Sequence, residues 1–181
     1  MDNQLESIVL GAGCFWCVEA VFQDLKGVVS VESGYSNGPT SDRPSYEFVC
    51  TGTSGFVEVL KVVFDPTVVS LETILDVFWH THNPTTLNQQ GADRGTQYRS
   101  GIYFANDAQK QIALDSKSSI ESAAVYTDPI VTEVMELKHY YPAEAYHQEY
   151  YNKVGHQNSY CTYVITPKVA KFRARYKDLL K

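Results

Sequence analysis

The sequence predicts a fold of the α+β class. Two observations predict it. Apolar side chains alternate over residues 56–64, as in a strand with one buried face, and they recur at helical spacing over residues 71–79. With the segments around them they give the order β-α-β-β-α-β, which is that of a ferredoxin-like, or split βαβ, core whose two helices cover one face of a four-stranded sheet.

Each segment of this core has a local signal. The first strand is a short apolar run, and the first helix stops at Gly27. The third strand stops at Asp65-Pro66, and Ser70 can cap the second helix. The predicted strands cover residues 5–10, 28–33, 56–64 and 98–105, and the predicted helices cover residues 15–26 and 71 to about 83.

The rest of the chain predicts an extension of the same domain. No linker or internal repeat divides the sequence, so we expect one domain over residues 1–181, with a core over about 5–105 and an extension over about 106–181. Little regular structure is expected over residues 155–166. The extension is predicted to hold helices over 107–122, 142–153 and 167–181 and a strand over 130–137.

Charge and composition limit the partners of the chain. A formal net charge of −6, with no basic cluster, argues against nucleic acid and anionic membranes. The N-terminus lacks the basic region of a signal peptide, and Glu19 interrupts the first apolar stretch before it could span a bilayer. We therefore expect a cytoplasmic protein, and a monomer, since nothing indicates an obligate interface. Four cysteines in such a protein indicate redox chemistry, metal binding or burial.

The segment Gly11-Ala12-Gly13-Cys14 joins a strand end to a helix start. Unpaired N–H groups and the positive end of the helix dipole favour a thiolate at such a position, so Cys14 is the candidate nucleophile. Two other interpretations stay open. Cys14 and Cys17 could both be buried core residues, or their Cys-x-x-Cys spacing could indicate a redox dithiol or half of a zinc site.

Glu58 stands in an otherwise apolar row of the strongest predicted strand. Its side chain shares a face with Phe56 and Leu60, where burial would raise the pKa of the carboxyl and keep it protonated near neutral pH. A general acid needs that property. Alternatively, the row lies at a sheet edge or Glu58 pairs with a cation such as Lys61, although Lys61 would point to the opposite face.

Other polar residues give weaker signals. Tyr46 follows a long loop and Tyr98 opens the fourth strand, and each hydroxyl could bind a polar substrate atom, whereas Asp93 lies in a predicted turn. Cys161 lies in the irregular segment, where its thiol could act as a resolving partner or be buried, and Cys50 is expected to pack. The five histidines complete no zinc-binding spacing, so no metal site is predicted.

Several motifs follow one another from about Ile8 to Cys161. They are Gly13-Cys14-Phe15-Trp16, Gly34-Tyr35-Ser36, Pro44-Ser45-Tyr46-Glu47, Val49-Cys50, Glu58, Gly95-Thr96-Gln97-Tyr98-Arg99-Ser100, Tyr146-His147-Gln148 and Tyr160-Cys161. In this order they resemble the family of A-type peptide methionine sulfoxide reductases. The ordered set is far more specific than any single motif in it.

The resemblance implies an enzyme that reduces methionine-S-sulfoxide, free or in proteins, to methionine. It implies that Cys14 attacks the sulfoxide sulfur and becomes a sulfenic acid. Glu58 would protonate the sulfoxide oxygen with help from the hydroxyls of Tyr46 and Tyr98. No metal or organic cofactor is implied.

The resemblance also implies a binding pocket and a second thiol. Phe15 and Trp16 would hold the S-methyl group, and Asp93 would lie in the same polar pocket. Cys161 matches the family's resolving cysteine and would form a disulfide that thioredoxin reduces. Cys17, where the family commonly has glycine, is the alternative resolving thiol.

Another departure from the family is Phe56, where histidine is frequent. Two rival functions are alternatives to the one that the resemblance implies. One is a general thiol-disulfide oxidoreductase that uses Cys14 and Cys17 as its dithiol. The other is a non-enzymatic module that binds a partner through the Tyr- and His-rich residues 138–151.

Overall fold

Residues 4–181, which the computed structural model describes, form a six-stranded sheet with helices packed against it. The strands are β1 (Glu6–Gly11), β2 (Val28–Ser36), β3 (Val57–Phe64), β4 (Gln89–Gln90), β5 (Asp93–Arg94), β6 (Gly101–Phe104), β7 (Glu133–Glu136) and β8 (Tyr141–Pro142). The helices are α1 (Phe15–Phe22), α2 (Tyr46–Cys50), α3 (Leu71–Thr81), α4 (Asp107–Ser122), α5 (Tyr150–Val154) and α6 (Thr166–Arg175). Strands β4 and β5 form a separate hairpin.

The strand order confirms the predicted core. The large sheet runs β7-β6-β1-β3-β2-β8, and the contacts among β1, β2, β3 and β6 are antiparallel. Strand β3 lies between β1 and β2 and so splits the β1-α1-β2 unit. Strand β1 lies between β3 and β6 and splits the β3-α3-β6 unit in the same way. Strand β7 joins the edge at β6 in parallel.

The alternation in β3 determines which side chains meet the helices. Leu60, Val62 and Phe64 are buried in the main core with residues of α1 and α3. Val57 and Val59 pack on the opposite face of the sheet. Glu58 therefore points to the helical side, at the end of β3 that lies near the start of α1.

The second strand is longer than predicted because Gly34 does not end it. Gly34 pairs with Val59 on one side and with Pro142 on the other. A Cβ at this position would lie 2.7 Å from the Tyr140 ring and from the Tyr141 carbonyl oxygen. Glycine is therefore required here because neighbouring residues approach the backbone closely, and not because the chain turns.

Two local elements around the core differ from the prediction. The fourth strand begins at Gly101, and Tyr98 lies in a 3-10 turn, Thr96–Tyr98. Arg99 fixes this turn, because its guanidinium donates to the Thr96 carbonyl at 2.9 Å and pairs with Glu133 at 3.2 Å. Helix α2 was not predicted, although Ser45 caps it by accepting the Phe48 N–H at 3.1 Å.

The extension departs most from the prediction. The helix expected over 142–153 is wrong, because β8 is followed by a 3-10 turn, Ala145–His147, and only then by α5. The segment expected to be irregular holds a 3-10 turn, Gly155–Gln157, and a π-helical turn, Cys161–Ile165, that continues into α6. Val169 and Phe172 complete the main core. No helix within residues 4–181 is long and apolar enough to cross a membrane.

Candidate active site

Cys14 lies where the sequence predicts, between the end of β1 and the start of α1. It is the N-cap of the helix, and its side chain is nearly buried, with 9% of the residue exposed. Gly13 has a φ of +90°, and a Cβ there would lie 2.6 Å from the Gln90 side chain. The turn that presents the thiol therefore requires glycine.

The helix start does lower the pKa of the Cys14 thiol, through the Trp16 backbone N–H, but the net shift is opposite to the predicted one. Burial, together with a hydrogen bond to Cys17, raises the pKa of the Cys14 thiol, and this outweighs the lowering by the Trp16 backbone N–H. The same hydrogen bond, helped by the charge of Lys168, lowers the pKa of Cys17 to about 7 against the effect of burial. The Cys17 sulfur also lies 3.7 Å from the Tyr160 hydroxyl oxygen. The structure therefore favours deprotonation of Cys17 over deprotonation of Cys14.

Glu58 has the environment that the sequence predicts. Only 2% of the residue is exposed, and burial raises the pKa of its carboxyl from an ordinary 4.5 to about 8. The Phe15 backbone N–H donates to Glu58 Oε1 at 3.3 Å and fixes the carboxyl at the start of α1. Lys61 lies on the other side of the sheet, where its ammonium is 5.7 Å from the centre of the Tyr140 ring. The predicted burial and raised pKa of Glu58 are confirmed, and the carboxyl does not pair with Lys61.

We expect Glu58→Gln to stabilise the fold at alkaline pH. Between pH 4.5 and about 8 the folded protein keeps a proton that the unfolded chain has released, so the wild-type stability falls as the pH rises through this range. Glutamine does not titrate, so the stability of the variant does not fall with pH in this way. Urea unfolding should show a gain on the order of a few kcal/mol at pH 9 relative to pH 4. An equal difference between variant and wild type at both pH values would contradict the assignment.

Tyr46 and Tyr98 place two hydroxyl donors beside Glu58. Burial raises the pKa of both phenols, with a further contribution from the Glu58 carboxyl, so both stay protonated. Tyr46 is held at the start of α2 by its own backbone N–H, which donates to Glu144 Oε1 at 3.0 Å. The three side chains together form the polar part of a site next to Cys14, whose pKa the Glu58 charge also raises.

Asp93 belongs to the same end of the pocket. It lies in the β4–β5 hairpin, paired with Gln90, and not in the predicted turn. The Tyr160 hydroxyl donates to Asp93 Oδ2 at 2.6 Å. The negative charge of Asp93 contributes, after burial, to the raised pKa of Glu58.

Phe15 and Trp16 form the apolar end of the pocket. Phe15 is buried and Trp16 is half-buried. The Trp16 indole stacks on the Tyr150 ring, with centroids 3.8 Å apart and planes 8° apart, and meets the edge of Tyr160 at 6.1 Å. Its Nε1 donates to His147 Nδ1 at 3.1 Å. The indole is therefore held on its face, its edge and its nitrogen.

Three residues around Trp16 had no predicted role in the site: His147, Glu144 and Tyr150. Because His147 Nδ1 accepts from Trp16, the imidazole proton lies on Nε2, 3.6 Å from Glu144 Oε2. Burial lowers the pKa of His147, which keeps it neutral. The available signal was the Tyr146-His147-Gln148 motif. Residues 138–151, which one rival treats as a separate binding surface, thus contribute walls of this pocket.

The other two cysteines differ from expectation in their surroundings. Cys161 is fully buried, at 0% exposure, in the π-helical turn, and not on a mobile loop. Asn158 Oδ1 accepts the backbone N–H of Tyr160 at 2.8 Å and that of Cys161 at 3.4 Å. Cys50, expected to pack, is exposed on α2, and its thiol hydrogen bonds with the Tyr46 hydroxyl. The structure thus brings Cys17, but not Cys161, against Cys14.

The assembled pocket combines a thiol, a neutral carboxylic acid, hydroxyl donors and an apolar wall. In the part of the chain that the structure describes, no three His, Cys, Asp or Glu side chains form a group that could hold a metal ion. The thiol can attack an electrophilic atom while the acid and hydroxyls receive negative charge that develops on an oxygen. The wall fits a small apolar substituent next to that atom.

Comparisons with known proteins agree with this chemistry. The sequence model of the family "Peptide methionine sulfoxide reductase" matches residues 6–180. The peptide methionine sulfoxide reductase MsrA of Polynucleobacter asymbioticus is 51% identical over 176 residues, which are 97% of this chain and 92% of the relative.

Solved structures show the same likeness in three dimensions. The reduced form of Mxr1 from Saccharomyces cerevisiae is similar with a TM-score of 0.79 and 34% identity, over 89% of this chain and 91% of that chain. Mxr1 in complex with Trx2 shares the fold with a TM-score of 0.57 at 24% identity, over 83% and 87% of the two chains. A match over nearly the whole chain and relatives at about half identity establish the relationship. The chain belongs to the A-type peptide methionine sulfoxide reductases, enzymes that reduce methionine sulfoxide.

Proposed function

We propose that this enzyme reduces methionine-S-sulfoxide, free or in proteins, through a sulfenic acid on Cys14 and an intramolecular disulfide. The observation that carries the proposal is a neutral carboxylic acid, Glu58, fixed at the start of the helix that presents Cys14. A sulfoxide sulfur becomes electrophilic only when its oxygen is protonated or strongly hydrogen-bonded. Glu58, Tyr46 and Tyr98 supply these donors.

The first step transfers one oxygen atom. Glu58 gives its proton to the sulfoxide oxygen while the Cys14 sulfur attacks the substrate sulfur and forms a sulfur–sulfur bond. The hydroxyl group then passes from the substrate sulfur to the Cys14 sulfur, as the sulfur–oxygen bond of the substrate and the new sulfur–sulfur bond break. Methionine leaves, and Cys14 keeps the oxygen as a sulfenic acid. The proton of the Cys14 thiol replaces the one that Glu58 gave up. Substrate sulfur is reduced by two electrons, and Cys14 sulfur is oxidised by two.

The proposed arrangement would admit only one epimer of the sulfoxide, and the resemblance to the family implies that it is the S epimer. The sulfoxide oxygen is directed to Glu58 and the two hydroxyls, and the S-methyl group to Phe15 and Trp16. The Cys14 sulfur approaches the substrate sulfur from a third side. The rest of the methionine must then point in the one direction that the oxygen, the methyl group and Cys14 do not occupy. The R epimer would exchange two of these positions and place either oxygen on the apolar wall or methyl among the donors.

The second step forms a disulfide. The resolving role of Cys161, which the resemblance implies, is part of our proposal, and the structure adds Cys17 as an intermediate partner. Cys17 is hydrogen-bonded to Cys14, and its charge acts on the buried Cys161. Cys17 would displace water from the sulfenic acid to form a Cys14–Cys17 disulfide. Attack of Cys161 on the Cys17 sulfur would then release Cys14 and leave a Cys17–Cys161 disulfide.

Cys17→Ser is expected to slow the loss of the sulfenic acid by about tenfold or more, because the buried Cys161 must then move to reach Cys14. The yield of methionine in the first turnover should not change. Trapping of the sulfenic acid with dimedone and peptide mass mapping measure both quantities. Cys161→Ser is the matched control and should form Cys14–Cys17 at the wild-type rate. A Cys14–Cys161 disulfide formed at the wild-type rate in Cys17→Ser would remove Cys17 from the path.

Thioredoxin is the proposed reductant of the final disulfide. The family relationship supports this, and the relative Mxr1 forms a complex with Trx2. As part of the same proposal, the enzyme is a cytoplasmic monomer that repairs oxidised methionine.

A single turnover tests the function directly. Reduced protein is mixed with methionine-S-sulfoxide or with the R epimer in the absence of any reductant. We expect methionine at no less than one equivalent per protein from the S epimer, negligible methionine from the R epimer, and one disulfide in the protein. Formation of no methionine from the S epimer would contradict the proposal and would favour the thiol-disulfide oxidoreductase that uses Cys14 and Cys17.

A further inference from the structure

Glu19 is a buried carboxylate that the reaction above does not use. It lies on α1, one turn after Trp16, and only 1% of the residue is exposed. The Ser33 hydroxyl donates to its Oε2 at 3.2 Å, and the Tyr150 backbone N–H donates to its Oε1 at 3.1 Å. The Glu149 backbone N–H is a further donor to this carboxylate. A buried carboxyl costs free energy unless its oxygens receive hydrogen bonds, so these contacts fix its position.

The contact with Tyr150 replaces a missing helix cap. Tyr150 is the first residue of α5, a helix without a side-chain cap of its own. The preceding residue, Glu149, has a φ of 55°, in the left-handed region that residues other than glycine seldom adopt. A short helix that starts from such a residue needs an external acceptor, and Glu19 is that acceptor.

Glu19 and Trp16 hold different parts of the same residue. They are three positions apart and therefore lie on one face of α1. Glu19 binds the backbone of Tyr150, while the Trp16 indole stacks on its ring at 3.8 Å. Asn158 Nδ2 also donates to the Tyr150 hydroxyl at 3.0 Å and holds the far end of the ring. The end of Tyr150 at its backbone is positioned by Glu19.

Up to Gln148, the chain before Tyr150 is attached independently of Glu19. The Gln148 side chain accepts the Ser33 N–H at 2.9 Å and donates to the Ser33 carbonyl at 2.9 Å. These two bonds already tie the segment to β2. The distinct contribution of Glu19 is therefore the orientation of Tyr150 and not the attachment of the segment.

We infer that Glu19 is a positioning residue for the reductase reaction: by accepting the Tyr150 N–H it holds the Tyr150 ring against Trp16 and so shapes the wall that receives the S-methyl group. The inference rests on the proposed role of that wall. Glu19 touches neither the substrate nor Cys14. Its loss should weaken substrate binding and leave the chemical step nearly intact.

Three substitutions separate the contacts. Glu19→Met keeps much of the side-chain volume and removes both acceptors. Glu19→Gln can still accept the Tyr150 N–H and can donate to the Ser33 hydroxyl, whereas Ser33→Ala removes only the bond to β2. Glu149→Gln, a loss of charge at the exposed neighbouring residue, is the matched control.

The readouts are the half-saturating sulfoxide concentration and maximal rate of methionine formation in single turnovers, and the quenching of tryptophan fluorescence by acrylamide. For Glu19→Met we expect a rise of about tenfold in the half-saturating concentration, less than about threefold change in the maximal rate, and stronger quenching. The other three variants should stay within about twofold of wild type. Trp79 is buried away from this contact and contributes a constant background.

An unchanged half-saturating concentration in folded Glu19→Met would overturn the inference, as would a Glu19→Gln variant that behaves like Glu19→Met. If Glu19→Met does not fold, Glu19→Asp replaces it, because its carboxylate is one methylene too short to keep the Tyr150 bond. A wild-type value in Glu19→Asp would then overturn the inference. Wild-type protein that forms no methionine would contradict the proposed function instead, so the two failures are distinct.

Discussion

Cys14→Ser is expected to abolish the formation of methionine from methionine-S-sulfoxide, with a rate at least about 10⁴-fold below that of wild type. A serine hydroxyl is a far weaker nucleophile than a thiol and has no sulfur to accept the oxygen. The fold should persist, because serine is a favoured N-cap and Cys14 occupies the N-cap of α1. Single-turnover formation of methionine, followed by chromatography, measures the loss.

The control for this substitution is Cys50→Ser. Cys50 is exposed on α2, and a serine there can keep the hydrogen bond with the Tyr46 hydroxyl. Its single-turnover rate should stay within about threefold of wild type. Methionine formed at the wild-type rate by Cys14→Ser would show that another thiol is the nucleophile, and Cys17 would be the first to test.

The central sheet could be predicted because its signals are local. The alternation in β3 and the helical spacing in α3 each arise from residues that are close in sequence, and the four strands follow in the expected order. The extension could not be predicted in this way. Its short turns depend on distant partners, such as the bonds between Gln148 and Ser33, which are 115 residues apart. Composition over residues 142–166 therefore gave the wrong elements.

The same difference between local and distant signals applies to the candidate site. The proton-donor character of Glu58 could be predicted because the apolar neighbours that bury it lie on its own strand. The ionisation of Cys14 could not, because its burial and its hydrogen bond to Cys17 appear only after the chain is packed. His147, 131 residues from the Trp16 indole that it binds, carries no local signal for that contact. The ordered motifs include His147 in the resemblance to the family. Its contact with Trp16 is visible only in the structure.

Glu58→Gln is expected to lower the single-turnover rate at pH 7 by about 10²-fold to 10⁴-fold, as the loss of a general acid does. The geometry should persist, because a glutamine oxygen can still accept the Phe15 N–H that donates to Glu58 Oε1. The wild-type carboxyl, with a pKa of about 8, is protonated below that pH and loses its proton above it. The advantage of wild type over the variant should therefore be full near pH 6 and shrink as the pH rises through about 8.

The ratio of the two rates is the quantity to measure, because other groups titrate in the same range. Cys17, with a pKa of about 7, and the Cys14 thiol, whose burial raises its pKa, are present in both proteins. Their effects are shared by both proteins, except that the charge of ionised Glu58 raises the pKa of Cys14 and is absent from the variant. The fall in the ratio as the pH rises through about 8 therefore reports the ionisation of Glu58. Glu149→Gln, which removes an exposed carboxylate, should keep the wild-type profile.

A ratio that does not change between pH 6 and pH 10, or a variant within tenfold of wild type at pH 7, would mean that the proton comes from elsewhere. The two tyrosine hydroxyls would then be the remaining donors in the pocket.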